Sequence, residues 1–123
     1  MFNLRWLEEK LQFSEESPED VQATLLQLTV ISIAKSIDTY CLDAEEVYIC
    51  GGGGHNSLLI NQLAEVMSGR KVALTDQLGI TIDWVEAFAF AWLAQQAILR
   101  KTGNLTSVTG AKESRILGAI YPA

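Results

Sequence analysis

Four consecutive glycines, Gly51 to Gly54, are the residues of this 123-residue chain best suited to chemistry. They follow a β-permissive stretch, Val47-Tyr48-Ile49-Cys50, and precede a helix-forming one that begins near Asn56 or Ser57. Glycine in such a turn lets the backbone bend sharply and lets a ligand approach with no Cβ in the way. The helix start that follows offers free N–H groups to an acceptor. One or two glycines are enough for a tight strand-to-helix turn, so a run of this length points to nucleotide binding. The mode of binding stays open from spacing alone. No Lys-Ser/Thr pair follows, which excludes a Walker A loop. A dinucleotide fingerprint fits in part, as Gly51-x-Gly53 or Gly52-x-Gly54 with Asp76 ending the next strand. Its third glycine position holds Asn56 or Ser57, and there the match fails.

Two further side chains invite a chemical reading. His55 is the only histidine, and a lone imidazole at a helix start reads as a surface or capping group before it reads as a catalyst. Cys41 and Cys50 do not form a zinc-ligand cluster with it, so no metal site is expected. Glu86 closes the run Asp83-Trp84-Val85-Glu86, which has capping-box spacing, with Asp83 as N-cap and Glu86 reaching back to its N–H. That alone explains the spacing. Its helical neighbours Phe90 and Leu93 are apolar, however, so the carboxylate is expected to face a packed region and to need a partner there. Ligand binding is the second reading of Glu86.

The elements that must hold these residues follow from periodicity. Phe2 to Gln12 reads as a short amphipathic helix with Leu4, Leu7 and Leu11 on one face. Ser17 is placed as an N-cap, Pro18 as a first helical residue, and Glu19 and Asp20 complement the positive helix end. The helix they open runs to about Cys41, with Leu26, Val30, Ile33 and Ile37 on its buried face. Glu46–Cys50 is a strand. The helix from Asn56 or Ser57 buries Leu59, Leu63 and Val66 and stops at Gly69, and Lys71–Thr75 is a second strand. Asp83 to about Lys101 is a helix so apolar that deep burial is expected, with Gly103 as its stop. The tail is loop-like except for a short strand over Arg115–Tyr121. The order α-α-β-α-β-α centres on a strand-helix-strand unit, which places two strands in a short parallel sheet.

Length and composition fit one domain over residues 1–123. A net charge of −6, from 9 basic and 15 acidic residues, leaves no basic stripe for nucleic acid or an anionic membrane. The charged N-terminus has no signal-peptide core, the apolar runs are too short to span a bilayer, and two cysteines make no disulfide framework. A cytoplasmic protein is expected.

These residues resemble a known family, the anhydro-N-acetylmuramic acid kinases. Val47-Tyr48-Ile49-Cys50-Gly51-Gly52-Gly53 with Asn56 is similar to their adenosine-side glycine motif. Asp83-Trp84-Val85-Glu86-Ala87 with Ala89-Phe90-Ala91-Trp92-Leu93-Ala94 resembles their C-terminal helix. Asn104-Leu105, Val108-Thr109-Gly110-Ala111 and Leu117-Gly118-x-Ile120-x-Pro122 resemble their tail, and Phe2-Asn3-Leu4-x-Trp6-Leu7 a segment just inside their second half. The resemblance implies part of an actin-like, sugar-kinase ATPase (ribonuclease H-like) lobe. It also implies ATP and Mg²⁺ as cofactors, used to open the 1,6-anhydro ring of an amino sugar and phosphorylate O6. The product, N-acetylmuramic acid 6-phosphate, belongs to peptidoglycan recycling. By the same resemblance Gly51, Gly52, Gly53, Gly54 and Asn56 face the adenosine, and Glu86 sits near the sugar. Gly54 stands where many members have alanine, a change expected to leave the turn intact.

Departures from the family pattern set further expectations. The phosphate loop and the general-base aspartate of the family match no segment here. The chain thus resembles the C-terminal third of such a kinase, with no catalytic residue of its own, and is expected to be inert in isolation. The alternative is a non-catalytic nucleotide-binding or interaction module left by gene truncation. A short sheet with open edges and apolar helical faces (Leu25, Leu28, Val30, Ile31, Phe88, Trp92) leads us to expect a homodimer.

Overall fold

The computed structural model describes residues 3–12 and 15–121. Phe2, Pro122 and the Phe13-Ser14 step, on which parts of the reading above fall, lie outside the described residues. The element order is α1 (Leu4–Leu11), α2 (Pro18–Tyr40), β1 (Glu46–Ile49), α3 (Ser57–Val66), β2 (Lys71–Leu74), α4 (Val85–Ile98) and α5 (Thr106–Thr109). Two 3₁₀ turns, Gly52–His55 and Thr75–Leu78, follow the two strands. The chain divides into two compact units, residues 1–46 with 58–71 and residues 47–57 with 72–123.

The first unit is helical, and its helix starts are written in the sequence. Asn3 caps α1 by accepting the Trp6 N–H at 2.9 Å. Ser17 caps α2 by accepting the Asp20 N–H at 3.1 Å, with Pro18 as the first helical residue. The expected face of α2 is the inner one: Val30 and Ala34 are buried, and Leu26, Ile33 and Ile37 are half-buried. Leu28 and Ile31 are exposed, whereas Val30, expected to add to the outer apolar surface, is core. In α3 Leu63 is buried, but Val66 is exposed and Met67 takes the inward position one residue beyond the helix. Gly69 has φ +99°, the left-handed conformation expected of it.

Arg70 then closes this unit. It pairs with Asp38 through Nη1 and donates to the carbonyls of Ala44 (2.9 Å) and Leu42 (3.3 Å). A planar fork of donors can hold a helix end and the following loop together in this way.

In the second unit Val47–Ile49 and Val72–Leu74 form most of the two-stranded parallel sheet, with Ala73 buried. Helix α4 departs from expectation. None of its residues is buried, and Phe88, Phe90 and Trp92 are 57%, 70% and 50% exposed. Its apolar residues point in every direction, so burying the whole helix would need cover on several sides. Within this unit the half-buried side is that of Leu93, Gln96 and Ala97. Gly103 comes so close that a Cβ there would stand 2.9 Å from Leu93 Cδ2, and Gly118 approaches the Cβ of Ala97.

The helix stops earlier than expected, and Gly103 is not its stop. Arg100 adopts φ +53°, its N–H reaches Ala97 O (3.1 Å), and the Lys101 N–H reaches Gln96 O (2.8 Å). This is the bonding pattern of a Schellman cap with a non-glycine residue at the left-handed position. The tail forms no strand over Arg115–Tyr121. Instead Asn104 ties it together, accepting the Arg115 N–H at 2.6 Å and donating to Glu113 O at 3.2 Å around α5.

Candidate functional site

The glycine run is the turn between β1 and α3. Gly51 has φ +72° and ψ −171°, a backbone conformation that is essentially glycine's alone. Residues 52–55 then wind into one 3₁₀ turn, with the Gly54 N–H on Gly51 O (2.9 Å) and the Asn56 N–H on Gly53 O (3.1 Å). At Gly51 and Gly52 nothing lies within 4 Å of where a Cβ would stand, so this side of the turn is open. Gly54 is the opposite case. It is buried, and a Cβ there would stand 2.8 Å from Ile82 Cδ1 and 3.2 Å from Ile82 Cγ2. A methyl at this position would meet the far end of the Ile82 side chain, which must shift to make room for it.

What holds the turn is the segment between β2 and α4. The Gly51 N–H donates to Ile82 O at 2.8 Å, and the Ile82 N–H donates to Asp76 Oδ2 at 3.2 Å. Gly79, left-handed at φ +85°, lets the segment fold back so that Asp76 reaches it. Asp76 thus serves its own loop, not the ribose contact that a dinucleotide fingerprint would ask of it. His55 Nε2 meets Asp83 Oδ1 at 2.9 Å, an exposed pair linking residues 28 apart in sequence.

That pairing changes the start of α4. Asp83 is engaged by His55, the Trp84 N–H goes to Thr81 O (3.0 Å), and the helix begins at Val85. Trp84 occupies the cap position without a side-chain bond, so the expected capping box does not form. Glu86 stands in the first turn and is exposed; the packed surroundings expected for it are absent because α4 itself is uncovered.

The structure thus gathers Gly51 to Asn56 into one turn, clamped by residues 76–83, and puts Glu86 on the first turn of the helix that follows. Sequence reasoning missed Ile82 and Asp83 as the clamp. Their partners are too distant in the chain for any local spacing to signal them. Among the described residues no cluster of three or more His, Cys, Asp or Glu side chains could hold a metal ion. No helix among them is long and apolar enough to cross a membrane.

The sequence profile of the anhydro-N-acetylmuramic acid kinases matches residues 1–123. The chain is 62% identical over 123 residues to the anhydro-N-acetylmuramic acid kinase of Nitrosospira multiformis, covering 100% of this chain and 33% of that protein. For the enzyme of the same name from Nitrosomonas europaea the identity is 56%, with 100% and 34% covered. For that of Pseudomonas syringae pv. tomato it is 48% over 124 residues, again with 100% and 34% covered. The chain spans about a third of the length of these curated relatives. It belongs to the anhydro-N-acetylmuramic acid kinase family.

Proposed function

We propose that this chain forms the adenosine-side and sugar-side parts of an ATP-dependent anhydro-N-acetylmuramic acid kinase, within the second lobe of a sugar-kinase fold. The observation that carries the reading is the open, glycine-only surface at Gly51 and Gly52 on a turn fixed by hydrogen bonds at Gly51, Gly54 and Asn56. A flat purine or ribose can approach such a backbone closely, and a turn already ordered loses little freedom on binding. These residues therefore fit an adenosine. Glu86, exposed at the start of α4, is free in position to accept hydroxyl hydrogen bonds from an amino sugar.

Bound ATP with Mg²⁺ supplies the phosphoryl group and its charge neutralisation. In this reading the phosphate loop and the general base that deprotonates the attacking nucleophile lie outside residues 1–123. This chain binds and orients. Ring opening with O6 phosphorylation, a place in peptidoglycan recycling, a cytoplasmic setting and a homodimeric state complete the proposal.

Phosphoryl transfer depends on positioning and charge neutralisation at the γ-phosphate. The isolated 123-residue chain is accordingly expected to show no turnover with ATP and the anhydro sugar in a coupled assay. ATP is expected to shift the amide resonances of Gly51 to Gly54 and Asn56 and to leave α1 and α2 unmoved. Turnover would overturn the division of labour, and unmoved glycine resonances at millimolar ATP would overturn the adenosine site.

A further inference from the structure

His55 is the residue that neither the nucleotide nor the sugar reading uses, and the structure gives it a partner. Its Nε2 sits 2.9 Å from Asp83 Oδ1. The pair does not stand alone. One residue before Asp83, Ile82 receives the Gly51 N–H on its carbonyl and packs against Gly54, while its own N–H is held by Asp76. The two ends of the glycine turn, Gly51 and His55, are thus fastened to adjacent residues of one segment. That segment leads directly into α4, where Glu86 lies three residues beyond Asp83.

We propose that His55 and Asp83 form a positioning latch that holds the glycine turn in register with the start of α4, and so couples the adenosine-side turn to the helix that carries Glu86. The coupling to ligands rests on the function proposed above; the latch itself does not. The argument is geometric. Besides His55, the turn is held to this segment by one hydrogen bond, Gly51 to Ile82, and by the apolar contact of Ile82 with Gly54. That contact has no directional preference and leaves the His55 end of the turn able to move. A second fastening at His55, at the far end of the same turn, removes that freedom. Exposed pairs of this kind contribute little to global stability. The effect belongs to the local opening of the turn, which is a separate and measurable free energy.

Amide hydrogen exchange on the whole 123-residue chain tests the latch. The amides of Gly51, Gly54 and Asn56 are hydrogen-bonded within or from the turn, and the Met67 amide, bonded to Leu63 O in the other unit, serves as control. Asp83→Ala and His55→Ala are each expected to speed exchange at the three turn amides about two- to fivefold, with the Met67 amide unchanged. The double variant should do no more than either single one. His55→Gln, whose amide can still donate to Asp83, should restore part of the protection. His55→Leu, which keeps apolar bulk but has no donor, should restore none, as space filling alone would not predict.

Unchanged turn exchange in both alanine variants, additive effects in the double variant, or no recovery with His55→Gln would overturn the latch. A variant that also speeds Met67 exchange has unfolded the chain, and His55→Gln alone then decides. ATP separates the two claims. If the wild-type glycine resonances ignore ATP while the exchange results hold, the adenosine reading fails and the latch stands. If ATP binds, its dissociation constant should rise about two- to fivefold in Asp83→Ala, in step with the loosened turn.

Discussion

At the scale of single residues, the glycine run divides into positions that serve the backbone, positions that leave space, and one that serves packing. Gly51 is required by its positive φ, Gly52 borders open space, and Gly54 leaves room for Ile82 to pack against the turn. Adding a methyl at Gly54 overpacks a site whose nearest atom is the far end of a flexible side chain, so the cost should fall at the low end of such changes, about 1 kcal/mol. Ile82→Val removes the Cδ1 that stands closest and should itself cost about 1 kcal/mol as a small cavity. Together the two changes should cost clearly less than their sum, because the deleted methyl is the one displaced. Urea unfolding of the two single variants and the double variant checks this, and simple additivity would show that Gly54 and Ile82 do not share space.

At the scale of elements, much was legible and the reasons differ from one element to the next. Both strands, α2 and α3 follow from short-range signals: a cap side chain, a proline at the first helical position, a face repeating with the helix. The glycine turn was legible as a turn because glycine run, strand and helix adjoin in sequence. The clamp over it was not, since Gly51–Ile82 and His55–Asp83 are long-range pairs. The exposed surroundings of Glu86 were not legible for a related reason, because apolar neighbours on a helix announce burial only if something covers them.

The end of α4 was misread because Arg100 takes a conformation that sequence assigns to glycine. That exception yields a prediction. A left-handed non-glycine residue costs about 1 kcal/mol, and a cation just beyond the last helical turn returns at most about 0.5 kcal/mol through the helix dipole. Arg100→Gly relieves the first and loses the second, so the net effect should be stabilising by about 0.5 kcal/mol, or about 2 °C in melting temperature. Arg100→Ala loses the charge without relieving the backbone and should melt lower than wild type. If Arg100→Gly melts no higher than Arg100→Ala, the left-handed cap is not what limits this helix end.

At the scale of the whole molecule, a large apolar surface is exposed along α4 and the residues that flank it, Trp84 and Leu99. Trp84, Phe88, Phe90, Trp92, Ile98 and Leu99 are all at least half exposed. Contiguous apolar patches of more than a few hundred Å² are uncommon on soluble monomers and generally mark interfaces. Phe88 and Trp92 are one helical turn apart and share a face, whereas Phe90, two residues from each, lies on the other side. A two-fold dimer is the simplest closed assembly for such a stripe, because one face can then cover its own copy. We therefore expect the 13.5 kDa chain to sediment with twice its mass at micromolar concentration and to melt at temperatures that rise with concentration. Phe88→Lys should abolish both effects while leaving the far-UV spectrum unchanged, since Phe88 is already 57% exposed. Phe90→Lys, with the charge on the opposite side, should leave association intact. Equal loss in both variants would indicate nonspecific apolar contact in place of a defined face, and monomeric sedimentation of the wild-type chain would remove the dimer altogether.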